Sequence, residues 1–92
     1  MNFANSYPQR VDTLIVNDET EEPSLLNAAT GQILITNTVG KRIIELSDGS
    51  RDVATIAETL TGEYTGAEAG RVLEHTRAFL AESANKGIVT WA

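Results

Sequence analysis

Apolar residues at Val39, Ile43, Ile44 and Leu46 recur as i, i+4, i+5, i+7, which is one stripe of a helix. Asn37 or Thr38 can cap its start by accepting from an orphan backbone N–H, and Asp48-Gly49 stops it. Val53, Ile56, Ala57 and Leu60 repeat the spacing in a second short helix, with Asp52 as its N-cap and an end near Thr61-Gly62. A third, longer helix is predicted over 67–85. Its stripe is Ala69, Val72, Leu73, Thr76, Phe79, Leu80 and Ser83, with Thr65 and Glu68 spaced as a capping box. Lys86-Gly87 ends it.

Before the first helix the periodicity is that of strands. Residues 12–17 (DTLIVN), 24–28 (SLLNA) and 32–36 (QILIT) are short, rich in aliphatic residues and separated by turn sequences. Residues 88–91 (IVTW) predict a final strand. The fold class is therefore α+β: a three-stranded antiparallel β-sheet, then three helices and a short C-terminal strand, in a winged helix-turn-helix-like arrangement. One face of the sheet must rest on the helices. In the third strand Ile33 and Ile35 share a face and Leu34 takes the other, so Leu34 reads equally as core packing or as groove lining. Residues 1–10 read as a flexible N-terminal arm, and 11–92 as one domain.

Charge narrows the function classes. The chain of 92 residues carries a formal net charge of −6 and contains no cysteine. The net negative charge is uneven: residues 1–36 hold five acids against one Arg, four of the acids in the loop Asp18, Glu19, Glu21, Glu22. No Lys/Arg cluster is available to meet phosphates, so nucleic acid is not an expected partner. No segment approaches a membrane span, and the N-terminus lacks a signal-peptide pattern, so a cytoplasmic protein is expected. A single histidine, His75, supports neither a nucleophile–base set nor a metal site. No catalytic residue, metal or cofactor is expected.

The ordered set Thr36-Asn37-Thr38, Gly40, Ile43, Glu45-Leu46, Asp48-Gly49, Arg51, Val53, Ile56 and Leu60, with Ala78-Phe79-Leu80-Ala81-Glu82 and Lys86-Gly87-Ile88-Val89, resembles the PqqD family. Two features depart from the family pattern. Thr76 and Ser83 stand where larger apolar residues are usual, and the loop at 18–22 is unusually acidic. The resemblance implies a recognition element for precursors of ribosomally made, post-translationally modified peptides. A leader peptide would add as a β-strand along Gln32, Ile33, Leu34, Ile35 and Thr36. Its side chains would enter a groove against the third helix.

On that helix the resemblance turns Arg71, His75, Ala78, Phe79 and Glu82 toward the third strand. The helical wheel alone leaves open the opposite margin of Leu73, Arg77, Leu80 and Ala84. The implied partners are a leader peptide and a modifying enzyme, such as a radical S-adenosylmethionine enzyme, a cyclase or a leader peptidase, with the chain a monomer or weak homodimer. The alternative reading is a winged-helix DNA-binding regulator. The balanced charges Glu68, Glu74, Glu82, Arg71 and Arg77 on the third helix argue against it. A proline at Leu34 is the expected way to interrupt strand addition.

Overall fold

The computed structural model describes residues 7–64 and 66–92. The elements run β1 (Pro8–Arg10), β2 (Leu14–Asn17), β3 (Ser24–Asn27), β4 (Ile33–Ile35), α1 (Thr38–Leu46), α2 (Val53–Glu63), α3 (Ala69–Asn85) and β5 (Val89–Trp91). Strands β2, β3 and β4 form the expected antiparallel meander, with β3 in the middle. A two-stranded ribbon, β1 with β5, joins the two ends of the chain.

That ribbon corrects the N-terminal reading. Residues 1–6 of the expected arm lie outside the described residues, but Pro8–Arg10 is paired strand. Arg10 also does a job no local pattern reveals. Its guanidinium donates to the carbonyls of Ile44 (3.4 Å), Glu45 (3.1 Å) and Ser47 (3.3 Å). α1 has no basic residue in its last turn. Arg10 therefore supplies, from another element, the cation that its orphan carbonyls and negative dipole end call for.

The two short helices begin where their caps dictate. The Asn37 side chain accepts from Gly40 N–H (2.9 Å) and the Asp52 side chain from Thr55 N–H (2.8 Å). α2 runs to Glu63, past the expected stop at Thr61-Gly62, and the Tyr64 N–H closes it on the Leu60 carbonyl. α3 begins at Ala69, two residues later than expected. The expected cap Thr65 lies outside the described residues. Glu68 makes no capping bond and instead pairs with Arg71 at 3.2 Å.

The inner face of the sheet closes on the helices. Leu25, Leu34, Ile43, Ile44, Leu46, Val53, Ile56, Leu60, Leu80, Ile88 and Val89 form one buried cluster, with Trp91 packed against it. Leu34 is thereby placed in the core, at 7% exposure. Thr76 and Ser83 are fully buried, and their hydroxyls find no partner among the described residues. A buried hydroxyl without a hydrogen bond costs about 1–3 kcal/mol. Thr76→Val keeps the shape and removes that penalty. It is expected to raise stability by about 1 kcal/mol in denaturant unfolding, and a loss of stability would show that the hydroxyl has a partner in solution.

Candidate peptide-binding site

The site is built on the free edge of β4. Inward, the Asn27 N–H donates to the Gln32 carbonyl (2.9 Å) and the Thr36 N–H to the Pro23 carbonyl (2.8 Å). Successive residues of an antiparallel strand direct their backbone groups to opposite sides. Gln32, Leu34 and Thr36 therefore bond toward β3, and Ile33 and Ile35 turn their N–H and C=O groups outward. The side chains of Ile33 and Ile35 are half exposed, at 50% and 56%. No proline or charged residue interrupts Gln32 to Thr36, although edge strands usually carry one.

The helix α3 lies alongside this edge and is located by two close approaches. A Cβ placed on Gly40 would overlap Thr36 Oγ1 and stand 3.0 Å from the Phe79 ring, which puts Phe79 beside the end of β4. A Cβ on Gly87 would stand 2.8 Å from Gln32 Oε1, which puts the helix end beside the start of β4. From Gln32 to Thr36 an extended chain covers about 13 Å. From Phe79 to Asn85, where α3 ends, the helix covers about 9 Å, and Lys86 and Gly87 complete the span. The last seven residues of α3 and the turn after them thus run antiparallel to β4.

The buried residue Asn27 fixes this alignment. Its carbonyl oxygen accepts from Thr13 Oγ1 (2.6 Å) and Ala29 N–H (2.9 Å), and its amide donates to the Gly87 carbonyl (2.8 Å). Gly87 itself has φ +71°, a conformation that costs glycine little and other residues much.

The five candidate residues of α3 fall into two groups. Ala78, Phe79 and Glu82 lie in the C-terminal half of α3, where Phe79 approaches Gly40 and Thr36. Phe79 is half-buried, while Ala78 and Glu82 are exposed. Arg71 and His75 lie further along and line a hollow of about 310 Å³ with Val39, Leu60, Tyr64 and Val72. Arg71 and His75 precede Phe79 on α3, so the hollow lies on the side of Phe79 away from Gly87. The opposite margin faces α2 instead: Leu73 and Ala69 share a hollow with Ala54, Ala57 and Thr61. Tyr64 is 41% exposed at the rim of the Arg71 hollow. Sequence reasoning missed Val39 and Val72 as lining residues, because each also reads as an ordinary member of a helical core stripe.

The sheet has a second free edge, at β2, and its chemistry differs. By the same alternation Val16 directs its backbone groups outward there, between Arg10, Asp18, Lys41 and Glu45. Lys41 bridges from α1 to Asp18 and holds the Asp18 carboxyl below its usual range by direct hydrogen bonding. Charges guard the β2 edge against pairing, and none guards β4. Among the described residues no cluster is placed to hold a metal ion, and no helix is long and apolar enough to cross a membrane.

Comparison with known proteins finds solved structures of similar fold. A structure described as TbiB1 in complex with the TbiA(beta) leader peptide aligns at 26% identity, with a TM-score of 0.72, over 88% of this chain and 93% of that one. A lasso peptide synthetase B1 complexed with the leader peptide aligns at 18% identity, with a TM-score of 0.74, over 91% of this chain and 98% of that one. No curated protein matches the sequence. The family model for coenzyme PQQ synthesis protein D matches residues 23–89, which takes in β3, β4, all three helices and the start of β5, and the chain therefore belongs to the PqqD family.

Proposed function

We propose that this chain captures the leader segment of a ribosomal precursor peptide by strand addition to β4 and presents the peptide to a modifying enzyme. The observation that carries this reading is the unguarded edge with Ile33 and Ile35 facing outward, flanked by α3. The two leader-peptide complexes of similar fold support it. The chain acts by binding, without catalysis of its own, and works in the cytoplasm, where such precursors are made. A modifying enzyme of the radical S-adenosylmethionine, cyclase or peptidase type meets a tethered substrate at an effective concentration of about millimolar, far above that of free peptide.

The pairing also sets how a bound peptide is read. Its residues opposite Ile33 and Ile35 exchange backbone hydrogen bonds and keep their side chains on the outer face of the sheet. The residue opposite Leu34 points inward, toward Phe79, Ala78 and Glu82. Backbone bonds supply affinity for any extended segment, and this inward position supplies selectivity. The hollow at Arg71 and His75 receives the chain beyond Thr36.

Titration calorimetry of the chain against the leader half and the core half of its precursor tests the proposal: the leader half binds and the core half does not. Equal binding of both halves, or of neither, refutes it. Ala78→Trp tests the groove. An indole on this exposed position fills the space beside Phe79 and is expected to weaken leader binding at least tenfold. Surface changes of this kind alter stability by about 0.5 kcal/mol or less, so the melting temperature should move by less than about 4 °C. Unchanged affinity would place the peptide elsewhere.

A further inference from the structure

The outer face of the sheet, turned away from the helices, is apolar and uncovered. Ile15, Leu26 and Ile33 stand directly opposite one another across the three strands. Ile15 is 52% exposed and Ile35, in the next row beside Ser24, is 56% exposed. Next to that row, the loop between β2 and β3 carries Asp18, Glu19, Glu21 and Glu22. Lys41 neutralises Asp18, whereas Glu19, Glu21 and Glu22 are exposed and make no ion pair among the described residues. The loop is held in shape by its own polar groups, with Glu19 N–H on the Asn17 side chain (3.2 Å) and Glu22 N–H on Thr20 Oγ1 (3.2 Å).

We propose that this outer face, together with the acidic loop, is the surface on which the modifying enzyme docks, through an apolar patch rimmed by Lys and Arg. The proposal rests on the peptide-capture reading above. Its first support is charge: three uncompensated carboxylates beside an apolar row call for a basic rim and repel a second copy of this acidic chain. Its second support is continuity. A peptide strand on β4 places side chains beside Ile33 and Ile35, so the row Ile15, Leu26, Ile33 gains a fourth member from the peptide itself.

Area fixes the character of the contact. Three strands about 4.8 Å apart, over three residues each, cover roughly 150 Å². A standard interface takes about 800 Å² from each partner. The bare face is too small for a stable dimer or a permanent complex, and the enzyme must also cover the loop and the bound peptide. The loaded chain is therefore preferred over the empty one. Coupling of this kind is reciprocal, so the enzyme tightens peptide binding by the same factor.

The test uses Ile15, which is on the face but two strands away from the peptide edge. The probe is a purified modifying enzyme that acts on the same precursor peptide. Ile15→Lys suits an exposed edge position, and Glu19, Glu21 and Glu22 all changed to Lys give an independent second variant. Both are expected to bind leader peptide within twofold of the parent and to bind the enzyme at least tenfold more weakly in the presence of peptide. Undiminished enzyme binding by both variants overturns the proposal. Sedimentation showing a dimer of the parent that Ile15→Lys dissolves also overturns it, by assigning the face to self-contact. A parent chain that fails to bind leader peptide refutes peptide capture instead. Intact peptide binding with an enzyme contact indifferent to both variants refutes only the docking face.

Discussion

Ile35→Pro is expected to weaken leader-peptide binding at least a hundredfold while the chain stays folded. The Ile35 N–H points to the free edge, since its neighbour Thr36 bonds inward to Pro23. Proline removes that donor and puts its ring where the incoming strand must lie. A net backbone hydrogen bond contributes about 0.5–1.5 kcal/mol. Loss of the bond, with its neighbour displaced by the ring, is expected to reach the roughly 2.7 kcal/mol that a hundredfold change represents. The fold should tolerate the change because nothing inside depends on this N–H and the side chain is more than half exposed. Ile35→Ala serves as the control: it shortens the side chain but keeps the donor, and should lose less than tenfold. Calorimetry on both variants, with circular dichroism for the fold, decides the matter. A folded Ile35→Pro protein that binds within threefold of the parent would falsify strand addition at β4.

The choice of Ile35 shows where the sequence stops being legible. From the sequence, Leu34 at the centre of the strand is the natural place for the proline. In the structure Leu34 faces Leu25 in the ladder and sits in the core at 7% exposure. A proline there would remove an inward bond and unfold the sheet. The run Ile33-Leu34-Ile35 is apolar on both faces, so periodicity cannot tell the inner side chain from the outer two. The hydrogen-bond phase is set by Asn27 on β3 and by Pro23 just before it, which a local pattern does not contain.

Other elements divide along the same line. α1 and α2 are legible because their stripes and caps are local, and Asn37 and Asp52 bond as their positions imply. β1 is not, because Pro-Gln-Arg has no alternation and its partner is β5 at the far end of the chain. The helical wheel groups Arg71, His75, Ala78, Phe79 and Glu82 on one margin, but only the tertiary approach of Phe79 to Gly40 says what lies beside it. The unpartnered hydroxyls of Thr76 and Ser83 lie on the buried stripe the sequence identifies.

Asn27 is the least legible residue of the site and the one whose loss should cost most in stability. A polar residue at the end of a short strand reads as surface, yet it is only 6% exposed. It holds three groups at once: the Thr13 hydroxyl, the Ala29 N–H and the Gly87 carbonyl. Thr13 and Ala29 are exposed and can turn to water when Asn27 is removed. The Gly87 carbonyl is at a half-buried position and loses a direct partner, so the expected cost of Asn27→Ala is about 2 kcal/mol. For a domain of this size that corresponds to a fall of roughly 8–16 °C in melting temperature. Asn27→Asp separates the parts: it keeps the acceptor for Thr13 and Ala29 but has no amide to give Gly87. If the bond to Gly87 holds the end of α3 against β4, Asn27→Asp loses leader affinity as well as stability, because the groove between Gln32 and Gly87 is no longer of fixed width. Calorimetry below the melting transition reads this directly. An Asn27→Asp protein with lowered melting temperature and undiminished leader affinity would mean that β4 binds peptide without help from the last turn of α3.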